Sequence, residues 1–104
     1  MQQFDICRLK GARGARRTAG LVLILQADLM DLLETRVVAP LVPIGAIPAM
    51  AKLRPEFVVD GKRLRLVADR LSVLVRSDIG AVVVSARDRE WDIRRALDLV
   101  FVGV

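Results

Sequence analysis

The sixteen residues from Arg89 to Val104 constrain the fold of this chain most. Apolar side chains recur at Ile93, Ala96, Leu97, Val100 and Phe101. That is the i, i+3, i+4, i+7, i+8 stripe of an amphipathic helix that buries one face. Charges fill most of the other positions, so the helix needs an apolar surface to lie on. Ser85 and Asp88 have the spacing of a capping box, with aspartate in place of the usual glutamate, which starts the helix near Arg87. The block runs to Gly103-Val104 without a polar tail, and its apolar tip is a candidate contact point.

The segments before it read as short strands. Residues 2–9 place Phe4 and Ile6 on one face and Cys7 and Leu9 on the other. Leu21–Gln26 is a buried strand by its leucine and β-branched content. Arg36–Val42 is another, and Pro40 within it belongs at an edge or bulge, where no ladder N–H is needed. Residues 56–59 and 62–67 flank Asp60-Gly61, a two-residue hairpin signal in which both central positions need positive φ. On the second arm Leu64 and Leu66 point one way, Arg63 and Arg65 the other. Leu71–Val75 and Ala81–Ser85 complete the strands. Between them lie a basic, glycine-punctuated loop (Lys10–Ala19), a short helical turn over Asp28–Glu34 with Asp28 as its cap, and a proline-containing loop from Pro43 to Ala51 with room for one helical turn. The expected fold is mainly β with a C-terminal α-helix, in one domain spanning residues 1–104.

Composition excludes much chemistry. The chain has no histidine, which removes the commonest general base and metal ligand. One cysteine, Cys7, permits neither an internal disulfide nor a cysteine zinc cluster, and it reads as a buried small hydrophobe in a reducing cytoplasm. Gly11 and Gly14 are flanked by basic residues and make no phosphate loop. Asp28 and Asp31 read as a solvated turn rather than a cation site. Four aromatic residues, none of them tyrosine, make no stacking platform for single-stranded nucleic acid. No apolar run is long enough to span a membrane, and there is no signal peptide pattern. No cofactor is expected. A 54% hydrophobic content with a net charge of +5 suggests an oligomer interface, most simply a twofold dimer, and an acidic partner.

The terminal block resembles the C-terminus of the CcdB family, whose pattern runs Arg-Glu-x-Asp-Ile-(basic)-x-Ala-(aliphatic)-x-Leu-(aliphatic)-Phe-Trp-Gly-Ile. Arg89, Glu90, Asp92, Ile93, Ala96, Leu99, Phe101 and Gly103 fit it in place. Gln26-Ala27-Asp28-Leu29-Met30-Asp31 and Arg36-Val37-Val38-Ala39-Pro40-Leu41 are similar to a second family block, Gln-Ser-Asp-Ile-Ile-Asp followed by Arg-(aliphatic)-Val-Ile-Pro-Leu. The resemblance implies an SH3-like barrel or twisted antiparallel sheet with a C-terminal helix, assembled as a homodimer. It implies a bacterial, cytoplasmic toxin of a type II toxin–antitoxin pair. Such a toxin binds the DNA gyrase A subunit and traps the cleavage complex, without catalysis, membrane contact or specific nucleic-acid binding.

The family's gyrase contacts map to Val102, Gly103 and Val104, with Arg95, Leu29 and Met30, and Ala27 beside them; Val102 stands where the family has tryptophan. The implied partner is a CcdA-like antitoxin with an acidic disordered tail, for which Arg63, Arg65 and the basic loop are candidate contacts. Two alternatives stay open. MazF-type endoribonucleases share the implied architecture, and Arg13, Arg16 and Arg17 with Thr18 are the residues that would serve RNA cleavage. The other is a CcdB-like binding module without gyrase-poisoning activity.

Overall fold

Residues 21–25 are an unbroken aliphatic run, so a strand there must be covered on both faces. The structure, a computed structural model that describes residues 1–10 and 20–103, covers both. Among the described residues seven strands, β1 (Asp5–Leu9), β2 (Leu21–Ile24), β3 (Thr35–Pro43), β4 (Glu56–Val59), β5 (Lys62–Leu66), β6 (Ser72–Val75) and β7 (Ile79–Ser85), precede one α-helix, α1 (Glu90–Phe101). They form an antiparallel sheet in the order β4-β5-β3-β2-β1-β7, with β6 also paired to β3. The sheet curls into a half-barrel that is open at β4 and β7, each of which has a single strand neighbour among the described residues. This is the mainly β fold with a C-terminal helix that the sequence predicts.

The main core lies on the helix side. Ile6, Leu23, Leu41, Leu64 and Leu66 meet Ile93 of α1 there, all of them essentially inaccessible. Val22, Ile24, Cys7, Val38 and Ile79 form a second cluster on the opposite face. The two clusters together absorb much of the aliphatic surplus noted in the sequence.

Pro40 departs from expectation. It pairs with Val22 in an interior strand, not at an edge of the sheet. β5 takes Leu41–Pro43 and β6 takes Thr35–Val38 on the same side of β3, so Pro40 falls at the break between them. Its carbonyl accepts from the Val67 N–H at 2.9 Å on that side, and no ladder acceptor there waits for the missing N–H.

The helical termini also differ from the sequence reading. Asp28 is not a cap: residues Asp28–Met30 form a 3₁₀ turn after Ala27, without a side-chain cap. The Asp28 carboxylate instead accepts from the Gln3 N–H at 2.8 Å. Ser85 and Asp88 form no capping box; Ser85 Oγ accepts from the Arg87 N–H at 3.2 Å, and a 3₁₀ turn over Arg87–Arg89 leads into α1. The helix stands on tertiary packing instead of a cap. Only Ile93 and Ala96 are fully buried on it, and Phe101, expected on the buried face, is 70% exposed because the helix reaches beyond the sheet it packs on.

The hairpin between β4 and β5 matches expectation, with Asp60 at φ 52° and Gly61 at φ 74°. A Cβ at position 61 would meet nothing within 4 Å, so only the backbone resists substitution. Gly61→Ala is expected to cost about 1 kcal/mol in urea unfolding, while Asp60→Gly is tolerated.

Candidate functional site

Two exposed apolar features stand out against this frame. The first is the outer face of α1. Trp91, Arg95, Asp98 and Val102 follow one another at spacings of 4, 3 and 4 residues, and so share one stripe. Trp91 is 85% exposed and Val102 70%. A groove of about 480 Å³ runs beside Trp91, Arg95 and Asp98. Arg94 pairs with Glu90 at 2.7 Å, and Arg95 reaches Asp92 at 3.4 Å. These surface pairs set the orientation of the guanidinium groups more than the stability of the helix. At the far end, Val102 N–H and Gly103 N–H both donate to Asp98 O, and Gly103 has φ 85°. The glycine closes the helix in the left-handed region and leaves Phe101 and Val102 projecting. Val104 lies outside the described residues.

The second feature is the loop after β2. Leu29 and Leu32 are almost fully exposed, and Met30 and Leu33 are half-exposed. The backbone carrying them is firmly held. Gln26 Nε2 donates to Met30 O and Thr35 O, and Gln26 Oε1 accepts from Val37 N–H. Arg36, itself buried, donates from Nη1 to Leu33 O and Thr35 O, and from Nη2 to Asp31 O and Asp31 Oδ1. Buried arginine thereby satisfies the loop's carbonyls and presents apolar side chains to solvent.

The sequence-predicted contact residues fall at two places. Leu29 and Met30, next to Ala27, stand by the start of the helical segment, where Arg87 lies 3.9 Å from Asp28. Val102 and Gly103 stand beyond its far end. At 1.5 Å per residue the 12-residue α1 is about 18 Å long, so one protomer does not bring the two groups into one patch. Arg95 lies between them on the helix surface. Arg63 and Arg65 do face away from the core, but both are engaged: Arg63 with Glu56 at 2.8 Å, and Arg65 with Arg54 O at 3.0 Å. Arg13, Arg16, Arg17 and Thr18 lie outside the described residues.

Sequence reasoning missed Arg36, Leu32 and Leu33. Arg36 carried a signal, since it occupies an inward position two residues before Val38 on β3. Leu32 and Leu33 sit between Asp31 and Glu34, a pattern that gives no direction. Shifted pKa values mark structure here. Burial pushes the Cys7 thiol up. The Arg54 fork, at 3.0 and 2.8 Å, holds the Asp69 carboxyl below its usual range and ties down the β3–β4 connection. Among the described residues no group of three histidine, cysteine or acidic side chains is placed to hold a metal ion, and no helix is long and apolar enough to cross a membrane.

Solved structures of toxins share this fold. The chain is similar to an endoribonuclease in complex with its cognate antitoxin from mycobacterial species, at 14% identity and TM-score 0.76, covering 100% of this chain and 96% of that one. It is similar to Mycobacterium tuberculosis toxin MazF-mt6 (14% identity, TM-score 0.74, 94% and 96% covered) and to MazF from Deinococcus radiodurans (14%, 0.69, 100% and 97%). At such identities the likeness speaks for the fold alone. A comparison with the curated proteins gives no match. The family model described as CcdB protein matches residues 3–103, and the chain belongs to the CcdB family. Family and fold together support a toxin of a toxin–antitoxin system.

Proposed function

We propose that the chain is a gyrase-directed toxin: a homodimer that binds the DNA gyrase A subunit and holds the enzyme–DNA cleavage complex, without making or breaking a covalent bond. The observation that carries this reading is the tip of α1. Two large apolar side chains, Phe101 and Val102, project 70% exposed from a helix end closed by a left-handed glycine. Exposed apolar anchors of this kind are hot spots when they insert into a partner. A twofold dimer suits the placement of the contacts, because a second protomer brings a second tip and a second Leu29–Met30 loop to the target. An antitoxin with an acidic tail neutralises the toxin in the cytoplasm.

Valine offers less area than the family's tryptophan, which sets the test. In a gyrase cleavage assay the wild-type protein is expected to accumulate cleaved DNA, a variant lacking Val102, Gly103 and Val104 to lose this effect, and Val102→Trp to act at roughly tenfold lower concentration. Growth arrest with normal cleavage-complex levels would remove gyrase as the target.

The endoribonuclease reading has one observation in its favour, the fold shared with solved structures of endoribonucleases. RNA cleavage by the purified protein, abolished by Arg16→Ala with Arg17→Ala, would establish it over the gyrase reading.

A further inference from the structure

Trp91 is the single tryptophan of the chain, and it stands 85% exposed near the start of α1. The helix is attached to the sheet through Ile93 and Ala96, which lie roughly 140–200° round the helix axis from Trp91. Trp91 therefore points away from the domain's own core. A side chain of this kind buries about 150–250 Å² where it finds a partner surface. We propose that Trp91 is a second anchor for the gyrase A subunit, entering an apolar cleft of that subunit together with Val102. The whole outward face of α1 then makes the contact, and not its tip alone. The identity of the partner rests on the gyrase reading above.

Four observations carry the proposal. The two anchors share a face: Trp91, Arg95, Asp98 and Val102 fall within roughly 60° of one another around the axis, and Trp91 stands about 16 Å from Val102 along it. The contact surface is thus continuous with the tip. A groove of about 480 Å³ runs along the same stretch. Half-buried Leu97 gives it an apolar floor, and Phe101, four residues further on, continues that side of the helix toward the tip.

The third observation is area. A specific protein interface covers about 800 Å² on each partner. Phe101 and Val102 supply at most about 300 Å² of that, so a tip contact alone is too small to hold a macromolecule. Trp91 and the groove floor supply the next largest apolar share along this helix. The fourth is charge. Glu90, Asp92 and Asp98 outnumber Arg94 and Arg95 on α1, and the two arginines are engaged with Glu90 and Asp92. A phosphate backbone is therefore not favoured on this helix, and an apolar protein cleft is.

The lone tryptophan makes the contact directly readable. Protein produced with 5-hydroxytryptophan carries one fluorophore, excited at wavelengths where the ordinary tryptophans of gyrase are dark. Acrylamide is expected to quench it freely in the isolated toxin, and to quench it no more than a buried indole once purified gyrase A subunit is present at saturation. In the cleavage assay Trp91→Ala should need at least about tenfold more protein for half-maximal cleaved DNA, with Trp91→Phe in between. Val58→Ser, on the exposed side of β4, should match the wild type. The exposure of Trp91 and Val58 leaves the fold little dependent on them, and matching thermal melts verify this.

Wild-type trapping of cleaved DNA with a label still open to acrylamide in the complex overturns the proposal and leaves the tip reading standing. Full potency of Trp91→Ala does the same. A wild-type protein that neither binds gyrase nor traps cleaved DNA overturns both. Shielding of the label that grows with toxin concentration alone would assign Trp91 to a second copy of the chain, and shielding by a short DNA alone would assign it to nucleic acid. Either result overturns the proposal.

Discussion

Ile93→Ala is expected to lower the free energy of unfolding by about 3–4 kcal/mol, the range for removing three carbons from a fully enclosed site. Ile93 is 0% exposed and packs in the main cluster with Phe4, Ala86 and residues of five strands. It has little help, because Ala96 is the only other fully buried residue on α1. The helix also lacks a side-chain cap at its start. Its attachment to the sheet therefore concentrates on one side chain. Against a total stability of about 5–15 kcal/mol, the loss is a large fraction. Urea unfolding at fixed protein concentration measures it, and Leu97→Ala, at a half-buried neighbouring position, should cost less. A loss below about 1 kcal/mol would show that the helix is not what closes this core.

Arg36→Met is the second large effect, at about 2–4 kcal/mol. The guanidinium is 3% exposed, and the bonds from Nη2 to Asp31 O and Oδ1 are 2.9 and 2.8 Å long. Methionine fills the space but strands the carbonyls of Asp31, Leu33 and Thr35, which the loop must then turn to water. Arg36→Lys restores the charge but not the fork, since one ammonium cannot span loop carbonyls on both sides of it. It should recover less than half of the loss. Faster amide exchange through residues 31–35 in both variants is the accompanying sign. Wild-type stability in Arg36→Lys would show that charge, and not the planar fork, holds the loop.

How far the sequence foretold this molecule depends on the range of the forces at each position. Asp60-Gly61 was legible because a tight hairpin is decided by φ at two adjacent residues. The inward pattern of Leu64 and Leu66 and the stripe at Ile93 and Ala96 were legible because periodicity is local. Pro40 was misplaced because its tolerance depends on a break between β5 and β6, strands far along the chain. Phe101 was misjudged because periodicity names a face but not how far the opposing sheet extends. The candidate site divides in the same way. The tip at Val102 and Gly103 follows from the end of one helix. The separation of Leu29 and Met30 from that tip, and the exposure of Leu32 beside a buried arginine, are set by tertiary contacts.

The pairing of β1 with β7 has a consequence for when the molecule comes into being. Residue 6 meets residue 84, so the first strand has no outer neighbour until β7, more than seventy residues later, has been made. The helix that covers the core is translated later still. Loop closure over such a span is slow and comes last. A nascent chain on the ribosome thus cannot close its core, or present its helix tip in working form, before α1 has emerged.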